Sequence, residues 1–85
     1  MATYRVLYWQ EVPSQIKAED DESDVTLPLP DQFQERIDKL AAERGLGGAD
    51  DYLAQWRWSE EEDRDGSAQA VAEAVRDELV AQAGL

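Results

Sequence analysis

The sequence predicts a small single α+β domain of order β-β-α-(short α)-β-α, a three-stranded antiparallel sheet with two helices on one face. Three observations carry that expectation: a β-branched and aromatic run near the start, two stretches with helical apolar spacing, and no internal repeat or linker among the 85 residues. A chain of this length buries only about 60 to 65% of its unfolded surface, so the core must be small.

From Thr3 to Val12 the chain has no Gly or Pro and carries apolar side chains at both parities, Tyr4, Val6 and Tyr8 against Leu7 and Trp9. That pattern suits a central strand. Pro13-Ser14 is expected to break the run, and Gln15 to Ala18 to return as a short second strand. The charged stretch "EDDES" and Asp24 are too polar and too self-repelling to pack, so residues 19–24 are expected as a mobile acidic loop. In "VTLPLP", Val25, Leu27 and Leu29 alternate with prolines, which permits an extended edge segment but not a central strand.

Asp31 to Arg44 reads as a helix, with Phe33, Ile37, Leu40 and Ala41 on one face. Asp31 complements the dipole at its start, and Arg44-Gly45-Leu46 predicts a Schellman-type stop. "ADDYLAQ" allows a short helix with Tyr52 and Leu53 inward, after which Gln55 to Ser59 resumes strand character. Asp63 to Gly66 is read as a turn, and Ser67 as the cap of a last helix closed by Gly84, with Val71, Ala74, Val75 and Leu79 on one face. The first strand then lies in the middle, antiparallel to its neighbours. The sheet's other face is left partly open, and periodicity alone does not decide which parity faces the helices.

Composition narrows the function. Eight basic against twenty acidic residues give a net charge of -12, which opposes binding to nucleic acid and to anionic membranes. No apolar run is long enough to span a bilayer. Cysteine is absent, which excludes disulfides, thiolate ligands and a thiol nucleophile. Histidine is absent as well, which removes the usual proton carrier near neutral pH and makes a zinc site improbable. The start, "MATYRVLYWQEV", has no basic and apolar signal segment, so a cytoplasmic location is expected. No enzyme activity, cofactor or metal is expected.

Several constellations invite a ligand. With Gly66 as the sixth position of a calcium loop, Glu61, Asp63 and Asp65 fall at the first, third and fifth, but the twelfth is Ala72 and "WRW" reads as strand. A solvated acidic turn explains the stretch more simply. Trp56 and Trp58 share one side of a strand, a spacing that suits either core packing or a stacking platform. Close carboxylate pairs such as Asp50 and Asp51 follow from composition alone, and "GLGG" lacks the Lys-Ser/Thr of a phosphate loop. In "YWQEVPSQIKA", Gln10 and Gln15 flank a proline beside Trp9, where a generic hairpin would carry Asn-Gly.

Together, "YWQEVPSQIKA", "LPDQFQERIDKLA", "DDYLAQWRW" and "RDGSAQAVAEAV" resemble the small bacterial virulence factor domain, found alone or joined to HEAT-like repeats in conserved virulence factor C type proteins. The resemblance spans nearly the whole chain. It implies a bacterial cytoplasmic accessory or regulatory domain without a defined reaction, and it carries over no catalytic residue. Fusion to helical repeats favours protein contacts.

The expected function is therefore a non-enzymatic protein-interaction or regulatory module. Its contact residues would be Trp9, Gln10, Pro13, Gln15, Trp56 and Trp58, and acidic segments would steer it toward a basic partner. An exposed sheet face would serve equally as a homodimer contact. The alternative is a small-molecule or divalent-cation binding subunit of an enzyme, using Tyr8, Trp58 and nearby carboxylates.

Overall fold

The computed structural model describes residues 1–84. The elements run β1 (Ala2–Trp9), β2 (Val12–Glu19), β3 (Asp24–Pro28), α1 (Asp31–Glu43), α2 (Ala49–Ala54), β4 (Trp56–Trp58), β5 (Glu62–Arg64) and α3 (Ala68–Ala83). The class is α+β with an antiparallel sheet. The sheet has five strands rather than the three expected, in the order β3-β2-β1-β4 with β5 also on β1. β4 and β5 share one lane beside β1, so the sheet is four lanes wide.

That split lane follows from one extra residue. Trp9, Tyr8 and Leu7 pair with Trp56, Arg57 and Trp58, while Tyr4, Thr3 and Ala2 pair with Glu62, Asp63 and Arg64. Between them, Arg5 and Val6 face Ser59, Glu60 and Glu61, three residues against two. This is a β-bulge, and it would leave a ladder donor without a partner. Ser59 repairs the gap: its N–H donates to the Val6 carbonyl (2.8 Å) and its Oγ accepts from the Val6 N–H (2.9 Å). The expected turn at Asp63 to Gly66 is displaced accordingly, because the open edge of β1 recruits Glu62–Arg64 into the sheet despite their charge.

A second bulge explains why proline does not break the first hairpin. The turn falls at Gln10-Glu11, not at Pro13-Ser14, and β2 begins at Val12. Register shifts between Leu7 and Tyr8, so that Leu7 faces Gln15, Tyr8 faces Pro13, and Ser14 is the extra residue. Pro13 thus sits at an irregularity, one of the few places where a missing N–H is tolerated within a sheet. The Ser14 carbonyl is then free to accept from Leu29 N–H, which extends the β3 side beyond Pro28.

The helices end as their sequences dictate. Gly45 adopts φ 68°, and the Leu46 and Gly45 N–H groups return to the carbonyls of Ala41 and Ala42, the two bonds of a Schellman motif. Ser67 Oγ accepts from Ala70 N–H at the start of α3, and Gly84 closes it with φ 69°. α3 packs across β2, β3 and β1, whereas α1 meets the sheet at β2. α1 and α2 together link the end of β3 to the start of β4, beside the β1–β2 hairpin tip.

The core is the even-numbered face of β1 and its neighbours: Ala2, Val6, Ile16 and Ala18 meet Ala68, Val71, Ala72 and Val75 of α3, and Phe33, Ile37 and Ala41 of α1 join them. No polar side chain is buried among the described residues. Each large apolar side chain sealed this way contributes about 1.5 to 3 kcal/mol.

The connection from β2 to β3 is the hydrogen-bonded turn Asp20–Ser23. Asp20 N–H donates to the Ser23 carbonyl, and Asp20 Oδ1 accepts from the N–H groups of Glu22 and Ser23. Asp20 Oδ2 accepts from Ala68 N–H at 2.7 Å. α3 has no acidic residue in its own first turn. Asp20 therefore supplies the carboxylate that a helix start favours, from a strand turn far away in sequence. These backbone donors, Ala68 first, hold the Asp20 carboxyl down at about 2 against an ordinary 3.8.

Two outcomes follow. Ser59→Ala leaves Val6 N–H unpaired in the bulge and lowers unfolding free energy by about 1 to 3 kcal/mol in urea titrations. Asp20→Ala lowers Tm by a few degrees at neutral pH. Because the folded-state value is depressed, the Asp20 contribution is complete above 3.8 and disappears as pH falls toward about 2. The Tm gap between wild type and Asp20→Ala should close across that interval, and a pH-independent gap would show that charge on Asp20 is not the cause.

Candidate functional site

From Thr3 to Leu7 the odd-numbered face of β1 is covered by no helix, and only at Trp9 does the short α2 seal it. Thr3, Arg5 and Leu7 point there with their cross-strand partners, and none of Thr3, Arg5, Leu7, Gln15, Lys17, Glu19, Thr26 or Trp58 is buried. Directly paired residues lie on one side of a sheet, so register sorts this face into rows. One row is acidic at its ends, with Asp24, Glu19, Thr3 and Asp63. The next holds Thr26, Lys17 and Arg5, and the third Pro28, Gln15, Leu7 and Trp58.

Two features distinguish the central rows. Arg5 and Lys17 are directly opposite, an arrangement of like charges that destabilises a ladder. Neither forms a salt bridge among the described residues, although the chain carries twenty carboxylates. Arg5 instead lies over the Trp58 ring, 5.3 Å from its centroid. Trp58 is 41% exposed and stands beside Leu7, so the third row presents an apolar step bordered by cations and by the Gln15 amide.

The tip of the hairpin closes this face at one end. Trp9 is fully buried: Tyr52 of α2 lies 5.6 Å away, centroid to centroid, and the Trp9 Nε1–H donates to the Tyr52 carbonyl at 2.9 Å. Trp56, opposite Trp9, meets Tyr52 edge-on at 5.9 Å. Leu53, expected inward with Tyr52, is instead exposed, because a helix of six residues turns only one of two adjacent side chains toward the sheet.

Gln10 adopts φ 53°, unusual for a residue with a Cβ. Neighbours hold it there. Its N–H donates to the Gln55 carbonyl (3.2 Å), its amide nitrogen donates to Gln55 Oε1 (3.0 Å), and its amide oxygen accepts from Arg44. Arg44 also grips Glu11 with both terminal nitrogens (3.0 and 2.6 Å). That guanidinium holds the Glu11 carboxyl below the usual carboxylate range. The paired amides and the ion pair thus fasten the tip to the end of α1 and the start of β4.

Of the six residues singled out in the sequence, Gln15 and Trp58 come together, on either side of Leu7. Trp9 supports the tip from inside, Trp56 is half-buried against Tyr52, Gln10 fastens the tip, and Pro13 lies at the bulge opposite Tyr8. Sequence reasoning missed Leu7, Arg5 and Lys17. The signal was present in β1, where the even parity is richer in apolar groups than the sequence Thr3, Arg5, Leu7.

A family model described as Virulence factor matches residues 7–83. The chain belongs to this virulence factor family. The match begins at Leu7 and takes in the hairpin tip, both long helices and the Trp56–Trp58 strand. No curated protein and no solved structure matches the chain. The family name describes a phenotype and assigns no reaction. Among the described residues of this family member, no helix is long and apolar enough to cross a membrane, and no group of three or more His, Cys, Asp or Glu could hold a metal ion.

The two indoles at opposite ends of exposure give a direct check. Trp9→Ala is expected to cost about 3 to 5 kcal/mol, enough to unfold much of so small a domain, and Trp58→Ala about 1 kcal/mol or less. Urea unfolding of both variants measures this, and equal losses would mean that Trp58 belongs to the core.

Proposed function

We propose that this member of the virulence factor family is a non-enzymatic interaction or regulatory module of the bacterial cytoplasm, which contacts a partner protein through the uncovered sheet face. One observation carries the reading: an exposed tryptophan beside a leucine on the five-stranded sheet, next to two like charges that face each other and form no salt bridge among the described residues. A strand pair that keeps Arg5 opposite Lys17 gives up some stability, which a partner's acceptor groups would recover. Aromatic and arginine side chains are also the groups that contribute most at protein interfaces.

Chemistry within the chain supports the same reading. The sequence holds no His or Cys to move a proton or attack a carbonyl near neutral pH. The displaced acid–base groups are each explained by a structural bond. Glu78 is held below its ordinary value by Arg64, and the Tyr4 hydroxyl is raised chiefly by its 2.7 Å bond to Glu62 Oε2.

A photo-crosslinking amino acid at Gln15 should capture the partner in cells, whereas the same group at Gln69, on the exposed side of α3, should not. The double variant Leu7→Ser/Trp58→Ser should abolish the adduct at Gln15 with circular dichroism unchanged. Equal adducts at both positions, or an adduct that survives the double variant, would rule out this face as the contact.

A further inference from the structure

On the helix-covered side of the sheet, the first half of α1 and the end of α3 stand on either side of a hollow of about 360 Å³. Its walls are apolar. Phe33 comes from α1, Leu79 and Ala83 from α3, and Tyr8, Val12 and Pro13 from the strands beneath. Val12 and Phe33 are buried and Pro13 sits at the bulge, so packed side chains frame the cavity. Its volume falls at the small end of the roughly 300 to 1,000 Å³ typical of small-molecule sites.

One charged group on the rim has no counter-ion. Arg36 lines the hollow and forms no salt bridge among the described residues, although the chain carries twenty acidic side chains. The reason is local. Partners along a helix lie three and four positions apart, and at those distances from Arg36 stand Gln32, Phe33, Lys39 and Leu40, none of them acidic. Glu11, on the same rim, is already committed, because Arg44 holds both of its oxygens (3.0 and 2.6 Å). Neighbouring hollows differ in charge: Glu60 and Glu62 edge the one beside Tyr4, and Asp20 and Asp21 the one beside Met1.

We propose that this hollow binds a small monocarboxylic acid, its apolar body between Pro13, Phe33 and Leu79 and its carboxylate on Arg36. A guanidinium presents paired donors that match a planar carboxylate. The Gln82 amide on the same rim offers a further donor. One free cation balances one negative charge, whereas a phosphate group, close to doubly charged, would be left in excess beside Glu11. The net charge of -12 acts from further away, and at about 0.15 M salt it is screened beyond about 8 Å, so the rim decides. This site is on the opposite side of the sheet from Leu7 and Trp58 and does not depend on the partner contact proposed there.

The test titrates the full chain, labelled with 15N, with phenylpropanoate, with its neutral amide, and with acetate, which lacks the apolar body. Expected is saturable binding of phenylpropanoate with a dissociation constant of about 1 mM, a strength within reach of so small a ligand. Amide shifts should centre on Tyr8, Val12, Phe33, Arg36, Leu79 and Ala83. The neutral amide, acetate, and the variant Arg36→Gln should each weaken binding about tenfold or more, and Arg36→Lys, which keeps the charge without the fork, should lie between. Arg36 is exposed and unpaired, so both variants should fold, and an unchanged Tm without ligand verifies it. The neutral amide binding as tightly as the acid, undiminished affinity in Arg36→Gln, shifts spread over the surface, or no saturable shift with either phenylpropanoate or hexanoate would each overturn the proposal. Leu7→Ser/Trp58→Ser should bind phenylpropanoate as the wild type does, and loss of binding there would place the ligand on the other face and overturn it as well.

Discussion

Two helices pack on one face of a sheet four lanes wide, α3 across β2, β3 and β1 and α1 at β2, and most of the molecule's character follows from where they sit. The apolar residues are therefore concentrated at one parity of β1 and β2, where α3 can reach them. The opposite parity must be compatible with water, and it is so through Thr3, Arg5, Gln15, Lys17 and Thr26. Leu7 and Trp58 depart from that pattern. A lone exposed leucine means little, but an adjacent leucine and tryptophan on an otherwise polar sheet are a local conflict of the kind that binding sites carry.

The strand at the centre is also the first. β1 pairs along both edges, with β2 on one side and with β4 and β5 on the other, so three separate parts of the chain are positioned by its backbone. Both edges contain a bulge, and the repair differs. At Ser14 the irregularity admits a proline, whereas at Ser59 a hydroxyl takes the place of a carbonyl in the ladder. Around this frame, side chains do the fastening: Asp20 joins the β2–β3 turn to α3, and Arg44 with Gln55 joins the hairpin tip to α1 and β4. The acidic surplus thus has two distinct uses. A few carboxylates are structural acceptors, and the rest face solvent.

How much of this was legible before the coordinates depends on whether a feature is local. The spacing of Phe33, Ile37, Leu40 and Ala41, the Gly45 stop and the Ser67 cap are properties of neighbouring residues, and the structure has them. β5 was not legible, since Glu62-Asp63-Arg64 has no strand-forming side chain and enters the sheet only because β1 offers a free edge. The hairpin turn was misplaced because proline is a strong local signal, and its exemption by a bulge arises from pairing with Tyr8. The site divides the same way. Trp58 and Gln15 stand out by residue type, but their meeting across Leu7, and the confrontation of Arg5 with Lys17, are matters of register. Trp9 looked like a contact residue because the short helix, legible in "ADDYLAQ", gives no sign in sequence that its Tyr52 packs on the hairpin tip.

The central position of β1 bears on how the protein comes into being at the ribosome. Within this chain β1 precedes its later partners, so its second edge fills only when Trp56–Trp58 and then Glu62–Arg64 have been synthesised, and its apolar face is fully covered only when α3 follows. The nascent β1–β2 hairpin must therefore persist with open hydrogen-bonding groups and exposed aromatic rings, the condition under which strands join the wrong neighbour. Dense carboxylates in the Glu19–Asp24 turn emerge during this interval, and their mutual repulsion between nascent chains would discourage such association before the native lane closes.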